Sequence, residues 1–126
     1  MTILADALAI EGYVVLAADA FRGELATSVP AAIVQVSSTP RAQIHADTDA
    51  ALNYLRLRPE VNDQRVGVMG FCFGGSHSMQ LGTRASGLSA VVTLYGSGPI
   101  TNPNELGNMA ANGHVLGGTS KNPSRA

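Results

Sequence analysis

Residues 65–75 read RVGVMGFCFGG. The run at 66–69 has the valine-rich character of a strand covered on both faces, as in parallel sheets, and residues 73–85 after it suit a helix. Between them lies Gly70-Phe71-Cys72-Phe73-Gly74-Gly75, the G-x-nucleophile-x-G elbow with cysteine in the nucleophile's place. A nucleophile on so sharp a strand-to-helix turn sits in strained backbone, and side chains two positions before and after it would collide, hence glycine at 70 and 74. The turn lifts the sulfur above the sheet and aims it at a helix N-terminus, where amides and the macrodipole favour negative charge. The backbone N–H of Phe73 then supplies one oxyanion donor, worth about 3 kcal/mol in a complete site. In the competing reading the glycines merely pack a helix on a strand, and Cys72 is buried and inert.

Working outward, residues 13–18, YVVLAA, form a second continuous apolar run and are expected as a buried strand, preceded by a helix over residues 2–11 that stops at Gly12. Residues 22–39 suit a lid or short helix. Thr39-Pro40 reads as a helix start, threonine capping and proline in the first turn, with the helix running to about Leu57. Ile44, Thr48, Ala51 and Leu55 line its apolar face, and Arg41, His45, Asp49 and Asn53 a solvated stripe. Residues 88–95, LSAVVTLY, make a third buried strand. The alternation predicts an α/β fold, an open, mostly parallel sheet of three or four strands. Residues 96–126 hold six glycines and five asparagines and are expected to be an irregular tail, with only 115–117 hinting at a strand.

The chain has 126 residues, 45% hydrophobic and 13% charged, with a formal net charge of -1. One domain spanning residues 1–126 is expected, since this length buries roughly two-thirds of its unfolded surface in a single core. Near-neutral charge with no basic run excludes an electrostatic grip on nucleic acid. No lysine or arginine precedes Arg22 and no apolar run approaches a membrane span, so a cytoplasmic protein without a membrane partner is expected. One cysteine excludes internal disulfides and multi-cysteine zinc sites, and no metal is expected. Gly74 and Gly75 lack the spacing of nucleotide-binding loops, and no cofactor is expected. Charge this sparse favours self-association through sheet surface that its helices leave uncovered.

Four segments together resemble the central portion of the dienelactone hydrolase (carboxymethylenebutenolidase) family, of α/β-hydrolase fold: GYVVLAADAFRGELATSVPAAIVQV, PRAQIHADTDAALNYLR, RVGVMGFCFGG and AVVTLYGSGPI. The likeness covers nearly all of residues 4–111, and the cysteine elbow is its most specific part. It implies a truncated α/β-hydrolase-like core and a hydrolase opening small lactones or carboxylic esters through an acyl-thioester, with Cys72 as nucleophile. In that family cysteine, aspartate and histidine follow in chain order. This sequence departs from the pattern: no aspartate follows Asp63, Glu105 is the only later acid, and Asn122 before Pro123 stands near the acid's place. The strand before the first helix and the loop giving the second oxyanion donor are missing from the likeness.

Of the three histidines, His77 lies five positions past Cys72, about 140° around a helix, so its ring should point away from the sulfur. His114 falls at the amino edge of the late strand, and His45 on the solvated stripe. Asp19, Arg22 and Glu24 after the first strand, with Ser97 and Thr101 after the third, fall at the carboxyl edge where open α/β sheets bind ligands. Arg22 and Arg41 match a substrate carboxylate bidentately, although surface arginine is the plainer reading. The functional expectation is therefore a small-ester or lactone hydrolase impaired by the lack of acid and base. The alternatives are a non-catalytic truncated paralogue or fragment serving as an association module, and a redox-sensing thiol at Cys72.

Overall fold

The computed structural model describes residues 2–98, 100, 102–110 and 114–118. The chain divides into two compact units, Met1–Val61 and Asn62–Ala126.

The first unit is helical. Helix α1, Thr2–Ile10, ends as expected at Gly12, whose φ of 92° only glycine adopts without strain. Residues 13–18 are not a strand, which corrects the expectation from their apolar run. Tyr13, Val14 and Leu16 are exposed. A strand exists only through a neighbour that takes its N–H and C=O groups, and no described residue pairs with this segment in a sheet. Helix α2, Val29–Ser38, is capped by Ser28, whose hydroxyl accepts the Ala31 N–H at 3.3 Å. Helix α3, Arg41–Arg56, buries Ile44 and Leu52. Thr39 does not cap α3, as its position beside Pro40 implied. It closes α2 instead, its hydroxyl donating to the Gln35 carbonyl at 2.6 Å. His45 and Asp49, expected on a solvated stripe, are half-buried.

The second unit carries the sheet. A 3-10 turn at Asp63–Arg65 leads into β1, Gly67–Phe71, followed by α4, Phe73–Arg84, and β2, Ala90–Leu94. Helix α5, Pro103–Ala110, and β3, His114–Gly118, complete it. The strands run parallel in the order β1-β2-β3, with Gly67 beside Ala90 and Phe71 beside Leu94. Helix α5 occupies sequence expected to be irregular. Its start is set by Asn102, whose side-chain oxygen accepts the Asn104 N–H at 3.0 Å, so asparagine here nucleates a helix. Helix α4 packs on β1, β2 and α5, and α5 on β3, so the two helices share one face of the sheet. Leu88 and Val91 are fully buried in this unit, each contributing about 1.5–3 kcal/mol. Along β2, Val91 and Thr93 are buried, whereas Val92 and Leu94 on the opposite face are half-exposed.

Candidate active site

Strand β1 delivers the chain to Cys72 at φ 52° and ψ -117°, the N-cap position of α4. A non-glycine residue in this sparsely populated region stores about 1–3 kcal/mol and persists only where its surroundings over-determine it. Those surroundings are specific. The Cys72 N–H donates to the Leu94 carbonyl at 2.9 Å. The Cys72 carbonyl accepts from the Ser76 amide at 3.0 Å and from its hydroxyl at 3.3 Å. The thiol is exposed, contrary to the reading in which it is buried and inert.

The elbow glycines divide by role. A Cβ on Gly70 would overlap the Gly74 carbonyl, so β1 and the first turn of α4 approach this closely only with glycine there. Gly75 is equally constrained, since its Cβ would lie 2.9 Å from both the Leu94 carbonyl and the Thr93 hydroxyl. Gly74 is different: a Cβ there meets nothing within 4 Å, which corrects the expectation of a collision. The first turn of the helix carries position 74 away from β1, and the wedge falls one residue later. Gly74→Ala should accordingly leave the chain folded and raise its denaturant midpoint slightly, by about 1 kcal/mol or less in unfolding free energy, readable in a urea titration.

The strap after β2 completes the elbow. The Ser76 hydroxyl accepts the Ser97 N–H at 2.8 Å and lies 2.8 Å from the Ser97 carbonyl, while a Cβ on Gly96 would come 2.8 Å from the Ser76 amide. Sequence reasoning reached Ser97 but missed Ser76, Tyr95 and Gly96. A glycine straight after a strand, one elbow away, was the available signal. Phe73 is the first residue of α4, and its ring meets that of His77 edge-on at 4.5 Å. His77 therefore packs along its own helix.

Among the remaining candidates, Arg22 and Arg41 belong to the first unit. Arg22, at φ 53°, holds Asp47 through Nε at 2.9 Å and a terminal nitrogen at 2.8 Å. Its fork is thus occupied by a carboxylate of the chain, which sequence reasoning did not foresee. Arg41 is the exposed first residue of α3. Asp19 shapes the turn before Arg22, accepting the Phe21 and Gly23 amides at 2.9 and 2.7 Å. Glu24 is exposed, and its carbonyl accepts the Gln35 side chain at 2.9 Å. Thr101 and Asn122 lie outside the described residues.

Hydrogen bonding from Arg22 lowers the Asp47 pKa, and the two backbone amides lower that of Asp19. A carboxylate depressed on folding stabilises the fold fully above its unfolded pKa of about 4 and loses that contribution as pH falls through the lower folded value. In a carboxyl-carbon NMR titration, Arg22→Ala should move Asp47 upward towards the ordinary range and leave Asp19 in place.

Among the described residues no cluster of three or more His, Cys, Asp or Glu could hold a metal ion, and no helix is long and apolar enough to cross a membrane.

A residue of nucleophilic type on a strained turn between a parallel strand and a helix defines the α/β-hydrolase class. The dienelactone hydrolase family model matches residues 1–121, and the chain belongs to that family. It is 30% identical to a Synechocystis sp. protein named as a carboxymethylenebutenolidase, over 74% of this chain and 41% of that protein. A Mus musculus carboxymethylenebutenolidase homolog is also 30% identical, over 74% of this chain and 39% of its own. A Bradyrhizobium sp. protein named as a 2-oxo-3-(5-oxofuran-2-ylidene)propanoate lactonase is 32% identical over 50% of this chain and 25% of its own. The chain thus spans about two-fifths or less of the curated relatives it matches. No solved structure matches it.

Proposed function

We propose that the chain is the nucleophile-bearing core of a cysteine hydrolase acting on small lactones or carboxylic esters. The observation that carries this reading is the exposed Cys72 at φ 52° between β1 and α4. The sulfur anion attacks the carbonyl carbon, a C–S bond forms, and the carbonyl electron pair moves to oxygen, where the Phe73 N–H donates to it. Collapse breaks the C–O bond and expels an alkoxide, which takes a proton from water and departs as the alcohol from an ester or stays tethered to the acyl group when a lactone ring opens, leaving an acyl-thioester on Cys72. Gly70 and Gly75 give the turn its close approach, with Gly74 in the first turn of α4 between them. Ser97, bonded to the Ser76 hydroxyl, stands beside the elbow, where bound substrate would meet it.

Hydrolysis of the thioester needs a base to activate water. Asparagine at 122, near the place of the family's aspartate, would slow deacylation relative to acylation, so that the acyl-enzyme accumulates. The test is p-nitrophenolate release from p-nitrophenyl acetate, beside a Cys72→Ala control. The expected result is a burst of about one equivalent followed by slow turnover, absent from the control. Equal traces would remove the nucleophile, and sustained fast turnover would remove the impairment.

A second reading is self-association. The half-exposed Val92 and Leu94, with Met69 at 41% exposure, form apolar sheet surface that a second copy would cover. Concentration-dependent mass in sedimentation equilibrium is expected, and a monomer at all concentrations would contradict it.

A further inference from the structure

Tyr95, beside the elbow, holds a backbone conformation that its residue type disfavours. It follows β2 directly and has φ 42°, a left-handed conformation in which a bulky aromatic residue is a genuine outlier. The path of the chain there is fixed by its neighbours. Gly96 wedges against Ser76, and Ser97 bonds to the Ser76 hydroxyl, so whatever residue stands at 95 must take up the strain. Glycine or asparagine would do so at least cost. The tyrosine is 55% exposed, and its ring meets that of Phe71, centroids 6.0 Å apart and planes tilted by 52°.

Its position is the clue. The register sets Leu94 beside Phe71, which puts Tyr95 beside Cys72. The Leu94 carbonyl that accepts the Cys72 N–H belongs to the peptide unit joining Leu94 to Tyr95. Two non-glycine residues with positive φ thus stand side by side at the carboxyl ends of adjacent strands, and strain of this kind gathers where a site is pre-organised. We propose that Tyr95 is a specificity-determining residue of the Cys72 site, its ring forming a flat wall that favours esters with a planar aryl acyl group. This rests on the reading of Cys72 as nucleophile. The wall is rigid because the strap bearing it is tied to Ser76, which also holds the Cys72 carbonyl.

The experiment compares burst rates for p-nitrophenyl benzoate and p-nitrophenyl acetate in the wild-type chain, Tyr95→Phe and Tyr95→Gly. Alkylation of Cys72 by iodoacetamide serves as a measure of thiol reactivity free of the acyl group. Tyr95→Gly should lower the benzoate-to-acetate ratio about tenfold, the size of one aromatic stacking contact, with alkylation unchanged and the thermal midpoint not lowered. Tyr95→Phe, which keeps the ring, should keep the ratio. An unchanged ratio in Tyr95→Gly would overturn the proposal. So would an equal loss on both esters and iodoacetamide, which would make Tyr95 a structural support. Should the glycine variant fail to fold, Tyr95→Asn, which also tolerates positive φ, carries the same comparison. A wild-type acetate burst that survives Cys72→Ala would instead strike the nucleophile itself, and the proposal would fall with it.

Discussion

Gly70→Ala should be the most destabilising single-methyl change in the second unit, costing about 3 kcal/mol, the upper end for overpacking. For a chain of this size that is a fall of roughly 10 °C in thermal midpoint. The added carbon would occupy the Gly74 carbonyl, a backbone group at the start of α4 that cannot swing aside as a side chain can. Relief requires α4 to lift from β1 as a unit, since the Ser78 hydroxyl of the same helix is bonded to the Gly74 carbonyl at 2.8 Å and ties it to the next turn. The comparison with Gly74→Ala makes the result diagnostic, because both changes add one methyl group to the same motif. A calorimetric scan in which the two variants melt together would show that the close approach of β1 and α4 is wrong.

Cys72→Gly should abolish ester acylation while making the protein more stable. Releasing about 1–3 kcal/mol of backbone strain at φ 52° outweighs the roughly 0.5–1 kcal/mol that glycine costs by freeing the unfolded chain, a net gain of about 1 kcal/mol. The exposed thiol gives up little packing in return. Cys72→Ala removes the same sulfur but keeps the strain, so it should lose acylation with no gain in stability. Equal stabilities for the two variants would mean that the turn is relaxed, and with it the argument that the fold holds the sulfur in a pre-set position would lapse.

What the sequence disclosed follows from how local each signal is. The elbow and the strands Gly67–Phe71 and Ala90–Leu94 were legible because glycine spacing and short valine-rich runs carry their meaning within a few residues. The run at 13–18 misled for the opposite reason: its apolar side chains were visible, but its strand character depended on a partner that no local pattern reports. Thr39 can cap either of two adjacent helices, and only the geometry at the Gln35 carbonyl assigns it to the end of α2. Helix α5 was hidden in Gly- and Asn-rich composition, where one asparagine cap outweighs poor propensities around it.

The site was legible to the same degree. Cys72 and the flanking glycines were readable from spacing, yet only the structure separates Gly70 and Gly75, which are wedged, from Gly74, which is not. Tyr95 was invisible because tyrosine is among the residues least expected at positive φ. The engagement of Arg22 by Asp47 was equally out of reach, since 25 positions separate the two in the chain.

The central claim is that the fold presents the Cys72 sulfur as an acyl acceptor. The most direct measurement is peptide mapping by mass spectrometry after the intact chain has reacted with p-nitrophenyl acetate at neutral pH and been quenched in acid. The expected result is a single acetyl group on the peptide containing Cys72, removable by hydroxylamine as a thioester is. An unmodified Cys72, with acetyl groups scattered over the amino terminus and lysine instead, would contradict it.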